Sequence, residues 1–480
     1  MSISAVIPAS GIWTVWKRSI NILLAAFLLA LLACRSSDPG PAPLPPPPPG
    51  LSMLRVQGRD IVNERNEKVF LRGVNFGCWL AWEGAGLPLL EMLPEHRIKA
   101  ELEARVGAAL TASFSDGFNA NYIQASDFAF AKSRGLNFIR LPFHHRYVQA
   151  GQLTLLDQAV SWAKLAGIYV MLDLHGAPGC QNPDYHSDSD GSAHLWEDTA
   201  YQAAFLDCWA ILAQRYKDEP TVLGYELLNE PVAPTDAALV DLYRRGIERI
   251  RAIDIQHMIL LDGNEYGAHF GGLVPAELGP NLVYVFHSYD GSQAALEARI
   301  TTFKAFSEQH QVPVMCNEYG GEVNHCAGSF ETAGIPYAPW MYKLFGIPEA
   351  EALFYWMPGT HPWQVWCDEV EALVQASQGA ITSEMQALVA ASTLSPACKE
   401  RLTSLIAPKG RFTGNMYRAL VAEFPGDQKE LQRLFTATWV IVERYTFDAI
   451  GNRLLAMTPT QLTALMQSLR SETWTTKPGT

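Results

Sequence analysis

The sequence predicts a (β/α)8 barrel, an α/β fold, on three observations. Eight short apolar, β-rich runs recur along the chain, segments of helical period lie between them, and polar or acidic residues gather where the runs stop. Strands alternating with helices imply parallel pairing through helical crossovers, and eight such units close into a barrel. A doubly wound open sheet shares this alternation, but no Gly-rich fingerprint follows an early strand to support a dinucleotide-binding version of it.

The 480 residues are 48% hydrophobic, enough to bury a large core. The formal net charge of −13 comes with no basic stripe, which argues against a nucleic-acid partner. A neutral polymer would not be repelled by it.

Lys17 and Arg18 precede the apolar run Ile20 to Ala30, too short for a comfortable membrane span and suited to a signal-peptide core. The run closes in Leu31-Leu32-Ala33-Cys34, which resembles the bacterial lipoprotein processing box, where cleavage before the Cys exposes a thiol that is then acylated. Residues 1–33 are therefore expected to be a lipoprotein signal peptide, with Cys34 the lipidation site and membrane contact made through a lipid anchor. An ordinary export signal is the alternative. The resemblance implies an exported bacterial lipoprotein on the outer membrane or cell surface, or on a periplasmic face. Arg35 after the Cys, in place of Asp, favours the outer membrane. Residues 34–50 include five consecutive prolines, which favour an extended spacer.

Seven further cysteines follow Cys34, and an odd number leaves at least one outside any disulfide. No CxxC or Cys/His ligand spacing occurs, so no structural zinc, and no other metal or cofactor, is expected. The chain is read as a monomer.

Leu54 to Val69 alternates around polar turns and predicts a hairpin closing one end of the domain. Strands are predicted at Val69 to Phe76, Asn137 to Leu141, Ile168 to Leu174, Val222 to Leu228, Met258 to Asp262, Leu282 to Phe286, Val312 to Cys316 and Ala352 to Trp356. Helices are predicted at Ile123 to Ser133, Leu156 to Ala166, Tyr201 to Tyr216, Ala237 to Ile253 and Leu296 to His310. Residues 51–425 are read as the barrel, with Arg411 to Phe424 as a candidate closing helix. Residues 426–480 are read as a helical extension: Gln428 to Tyr445 carries an apolar stripe, and Thr458-Pro459-Thr460-Gln461 forms a capping box.

The working face of such a barrel is the C-terminal rim of its strands. The rim residues here are Arg140, His175, Asn229, Glu230, His287, Tyr289, Glu318 and Trp356. Two strand-end carboxylates facing one cleft, Glu230 and Glu318, are what cleavage of a glycosidic bond needs: a proton donor, and a nucleophile or base. Arg140 would keep Glu318 ionised, and the charge of Glu318 would raise the pKa of Glu230 and keep it protonated. Glu226 lies deeper on the same strand as Glu230 and is expected to pair with Arg140.

Asn229-Glu230-Pro231 after one strand and Asn317-Glu318-Tyr319-Gly320 after another resemble the motifs of glycoside hydrolase family 5, the cellulase family of clan A, and the likeness runs from about Leu71 to Trp356. It implies a retaining mechanism with Glu230 as acid/base and Glu318 as nucleophile. It implies that Arg140 braces the nucleophile, that His175 is the active-site histidine, that Asn229 binds the sugar 2-hydroxyl, that His287 and Tyr289 are the site's second histidine and its tyrosine, and that Trp356 floors the cleaved sugar's subsite. The implied substrate is a β-linked polysaccharide or oligosaccharide, foremost a β-glucan. A β-mannanase or glycolipid-cleaving relative, a glycan-binding lipoprotein without catalysis, and a metal-dependent hydrolase using His144, His145, His175 and His287 are the competing readings. Trp196 and Trp363 are candidate sugar platforms, since aromatic faces stack on pyranose rings.

Overall fold

The computed structural model describes residues 50–476, apart from 84–86, 88–89, 91, 150, 152, 321–322, 344, 346–353 and 408–410. The proposed signal peptide, Cys34 and the tether through residue 49 lie outside them.

The predicted hairpin is present as β1 (Arg55–Gln57) and β2 (Asp60–Val62), paired antiparallel. Eight parallel strands follow: β3 (Gly73–Asn75), β4 (Phe138–His144), β5 (Tyr169–Gly176), β6 (Val222–Glu226), β7 (Met258–Asp262), β8 (Leu282–Ser288), β9 (Val314–Tyr319) and β10 (Tyr337–Pro339). They pair in sequence order, and a parallel bridge from Arg72 to Tyr337 joins the last to the first, closing the barrel. The (β/α)8 architecture is therefore as predicted.

The eighth strand is not where the sequence reading placed it. Tyr355–Trp356, at the end of the predicted run, form β11, which pairs antiparallel with β12 (Thr475–Thr476) outside the barrel. The true eighth strand has three residues flanked by Pro336 and ending in Pro339, a composition that reads as loop.

Inside the barrel, Phe138, Met171, Leu223, Leu260, Val285 and Met315 form one buried cluster with Leu54 and Ile61 of the hairpin. The hairpin thus plugs the end opposite the C-terminal rim, held there by hydrogen bonds from the Val56 N–H to Asn281 and from the Tyr169 hydroxyl to the Ser52 carbonyl.

Besides three one-turn α-helices, the α-helices among the described residues are α1 (Glu95–Val106), α2 (Ala108–Asn121), α3 (Ala125–Ser133), α4 (Thr154–Ala166), α5 (Thr199–Tyr216), α6 (Asp236–Arg251), α7 (Gln293–His310), α8 (Val323–Ala333), α9 (Pro362–Ala376), α10 (Gln378–Ala391), α11 (Pro396–Ile406), α12 (Gly414–Glu423), α13 (Gln428–Leu455) and α14 (Pro459–Gln467). The long α13 packs on α1, α9, α10 and α12, and α14 packs on α2. The helix proposed to close the barrel, α12, buries Met416 and Leu420 and rests on α11 and α13 instead. The capping box at Thr458 and Gln461 is formed on both sides.

Lys343, just past the eighth strand, ties these helices down. Its ammonium is 1% exposed, lies 3.6 Å from Asp127 and donates to the carbonyls of Tyr122 and Leu469. No disulfide joins any of the seven cysteines among the described residues. No described helix is long and apolar enough to cross a membrane.

Candidate active site

Every residue of β4 is buried, and its third, Arg140, reaches across the barrel. Nε and Nη2 grip the two oxygens of Glu226 at 2.7 Å each, a planar fork-to-fork pair. Nη1 donates to Glu318 at 2.7 Å and to Asn75 at 2.9 Å, while Nη2 also reaches Asn229 at 2.7 Å and lies 3.0 Å from Asp173. Burial opposes the charge on Arg140, but Asp173, Glu226 and Glu318 outweigh it and raise its pKa. Glu226 is thus the buried partner that its depth predicted.

Glu318 lies near the end of β9. One oxygen takes the Arg140 bond, and the other accepts from the Tyr289 hydroxyl at 2.6 Å. Glu230 arrives differently, because β6 stops at Glu226 and the chain turns out over the rim. Glu230 has φ of +48°, a left-handed conformation that a side-chain-bearing residue adopts only under constraint. The constraint is visible: its N–H donates to Asp262 at 2.8 Å, and its carbonyl accepts from Asn182 at 2.9 Å. The carboxylate contacts His287 Nδ1 at 2.7 Å through Oε1 and His186 Nε2 at 3.1 Å through Oε2. Carboxylate oxygens of Glu230 and Glu318 come within 4.8 Å of each other, with His287 Nδ1 beside both.

The electrostatics differ from expectation at Glu230. Burial resists its ionisation, but hydrogen bonds from His186 and His287, and the charges of the two rings, outweigh it, so its pKa is lowered and not raised. The same contacts raise the histidines. His287, disfavoured by burial, is carried up to about 10 by Asp262, Glu318 and Glu230, and His186 also rises. Asp262 is pushed up to about 8, first by burial.

His175 donates to Asp173 (2.8 Å) and Glu83 (3.1 Å), and these carboxylates outweigh burial to raise it to about 10. Asn229 Nδ2 stands 3.5 Å from His175 Nε2. The rings of His175 and Trp340 stack at 5.5 Å with an interplanar angle of 8°.

Seven of the predicted rim residues, Arg140, His175, Asn229, Glu230, His287, Tyr289 and Glu318, are therefore gathered at one mouth of the barrel. Trp356 is not positioned as the eighth-strand aromatic, since its backbone pairs with Thr475. The aromatic directly after the eighth strand is Trp340. Trp363 is no sugar platform: it is 1% exposed, packed among Phe114, Phe118 and Trp366, because α9 buries that face. Trp196 is half-buried, with its indole N–H donating to the Gln181 carbonyl.

Sequence reasoning passed over Glu83, His186, Asp262 and Trp340. Asp262 had a signal, because it ends the fifth barrel strand. The four histidines of the metal-hydrolase reading do not converge: His144 is bound to Asp188, His145 to the Gly176 carbonyl, His175 to Asp173 and Glu83, and His287 to Glu230.

Residues 106–339 match the model of the cellulase family, glycosyl hydrolase family 5. A β-xylosidase of Phanerodontia chrysosporium is 35% identical over 267 residues, which are 52% of this chain and 55% of that protein, so this chain spans little more than half of that relative's length. A probable glucan 1,3-β-glucosidase A of Aspergillus clavatus is 30% identical over 311 residues, 59% of this chain and 72% of its own. A solved endogalactoceramidase structure is 21% identical, covers 61% of this chain and 75% of its own, and has a TM-score of 0.46. Likeness carried over 72% of a relative's length, with the family model lying across Arg140, Glu230 and Glu318, places this chain in glycosyl hydrolase family 5, the cellulase family.

Proposed function

We propose that the protein is a retaining glycoside hydrolase that cleaves β-glucosidic bonds in a β-glucan, with Glu318 as nucleophile and Glu230 as acid/base. The observation that carries the reading is the approach of the two carboxylates to within 4.8 Å. Oxygens this near suit a retaining pair, whose carboxyl groups stand about 5 to 5.5 Å apart so that one of them can attack the sugar directly.

In the first step an oxygen of Glu318 bonds to the anomeric carbon while Glu230 gives a proton to the departing glycosidic oxygen. Arg140 and Tyr289 aim the attacking carboxylate through the two bonds described above. The esterified Glu318 no longer carries charge, and Glu230, now a carboxylate, takes a proton from the water that releases the sugar. Asn229 is placed for the 2-hydroxyl and Trp340 for the sugar's face. A β-glucan is supported by relatives named as a probable glucan 1,3-β-glucosidase and an endoglucanase C, the latter from Acetivibrio thermocellus.

The test is product analysis on β-1,3-glucan, β-1,4-glucan and mannan with the anomer followed by NMR. Retention with glucose or gluco-oligosaccharides supports the reading. Inversion sinks the mechanism, and cleavage of mannan alone sinks the substrate. Binding without cleavage leaves a glycan-binding protein.

We further propose that the chain is an exported lipoprotein anchored through Cys34 and active as a monomer. The apolar run ending in Leu31-Leu32-Ala33-Cys34 supports the anchor. Labelled palmitate should enter the protein in a bacterial host and be lost in Cys34→Ser.

A further inference from the structure

We infer that Asp262 is a positioning residue for the acid/base: its carboxyl group holds Glu230 in the left-handed turn that brings the side chain to Glu318, and it braces the histidine that meets that side chain at its far end. This rests on Glu230 being the acid/base.

In the barrel β7 lies between β6 and β8. β6 stops at Glu226, so Glu230 stands past the end of its own strand, where the ladder no longer fixes the backbone. Its φ of +48° is costly for a residue that carries a Cβ. A return to the ordinary negative region would swing the side chain by about 110° or more around the N–Cα bond, away from Glu318. Something must therefore hold the turn.

Asp262, the last residue of β7, is fully buried. Its Oδ2 accepts the Glu230 N–H at 2.8 Å, and its Oδ1 accepts the Gly263 N–H at 2.9 Å. The second bond fixes the plane of the carboxyl group against the chain that follows β7. From α6 the Tyr243 hydroxyl donates to the Asp262 carbonyl at 2.9 Å. Gly267 closes the remaining side, since a Cβ there would lie 2.6 Å from Oδ1. The carboxyl group has no room to turn away.

The oxygen that holds the backbone of Glu230 also lies under the other end of the residue. His287, on β8, contacts Glu230 Oε1 through Nδ1 at 2.7 Å, and its Nε2 is 3.7 Å from Asp262 Oδ2. The N–H and the carboxylate of Glu230 are thus both referred to one atom, directly at one end and through an imidazole at the other. A general acid must reach the glycosidic oxygen within hydrogen-bond distance, and this closed circuit fixes where it reaches from.

A buried carboxyl group is a poor filler for the core. Burial pushes Asp262 up to about 8, and an apolar side chain of like volume would be tolerated at least as well. An apolar side chain cannot accept two N–H groups. Each oxygen keeps a lone pair for its N–H whether or not the group is protonated, so the hold survives protonation.

Misplacing an acid has a kinetic signature that lost stability lacks. A badly seated Glu230 slows glucosides whose leaving group needs a proton and spares those whose leaving group does not. Unfolding lowers all of them alike. Across a series of aryl β-glucosides, Asp262→Asn, whose amide can accept only one of the two N–H groups, should lower kcat/KM about 10- to 100-fold for phenyl β-glucoside and little for the dinitrophenyl compound. Gly267→Ala, which presses on Oδ1 from outside, should steepen the same leaving-group dependence to a lesser degree. Rates are referred to the fraction of molecules that form an ester at Glu318 with a dinitrophenyl fluoroglucoside, counted by mass spectrometry, so partly folded preparations remain readable. An unchanged leaving-group slope in both variants overturns the inference. Absence of ester in both assigns Asp262 to folding alone and overturns it as well. Glu230→Ala separates the two levels. If it shows neither a steeper slope nor a β-glucosyl azide product in azide, Glu230 is not the acid/base; if it shows both while the Asp262→Asn and Gly267→Ala slopes stay unchanged, only the role of Asp262 falls.

Discussion

Arg140 and Glu318 meet at 2.7 Å on a guanidinium that also holds both oxygens of Glu226, so the charge that steadies the nucleophile is itself locked in place from below. Removing one partner of such a buried set leaves the other charges unmatched. Arg140→Ala should cost about 3–5 kcal/mol of stability by urea denaturation. Arg140→Lys should fold better yet lose most activity, because an ammonium cannot grip Glu226 with two donors and reach Glu318 as well.

Glu318→Gln should abolish turnover on every glycoside, since nothing else within reach can form the ester. Glu230→Gln should behave selectively. With poor leaving groups kcat should fall about 10²- to 10⁴-fold, the usual worth of general acid catalysis, and with activated aryl glycosides far less. Equal losses on both substrate types would remove Glu230 from the acid role.

The buried histidines make stability fall with rising pH. His175 and His287 have folded pKa values of about 10 against 6.5 when free, so the folded chain binds more protons than the unfolded one across that window. Their contribution is complete below pH 6.5 and is lost as pH rises through 10. Asp262, raised from 3.8 to about 8, adds a loss in the same direction between those values. Urea midpoints should drop steadily from pH 7 to 10, and the drop should be shallower in His175→Asn, which removes one of the titrating rings.

Trp340 is reachable by a small change beneath it. A Cβ at Gly77 would lie 2.7 Å from the Trp340 ring and from Met341 Sδ, too close for either to stay. Gly77→Ala should therefore tilt the indole off His175 and raise KM for oligosaccharides several-fold. Trp340→Ala should do the same more strongly, measured by kcat and KM with stability followed in parallel.

The barrel was legible because parallel strands buried on both faces must be apolar runs, and β4 to β9 are such runs ending in polar residues. Tyr337–Pro339 escaped because a Tyr-Ala-Pro run straight after Pro336 carries no periodicity, and the error moved the expected aromatic from Trp340 to Trp356. Helices α1 and α2 were missed for a related reason: α1 sets few apolar residues among many charged ones, α2 mixes Ala, Ser, Thr and Asn, and both dock against α13 or α14, which local pattern does not reveal. The carboxylates and Arg140 were legible from their places at strand ends. Glu83 and His186 sit on loops, and only the closed barrel brings them to the rim. The pKa direction at Glu230 was misjudged because one neighbour, Glu318, was counted and two histidines were not.

The buried ammonium of Lys343 fixes an order of events during synthesis. Its acceptor at Leu469 and the strand at Thr475–Thr476 lie far downstream of the eighth strand, so a ribosome that has already extruded all eight staves still holds back what seals them. Until then the nascent barrel carries an uncovered seam beside α2 and α3, open to chaperones and proteases alike, and any truncation upstream of Leu469 makes that exposure permanent.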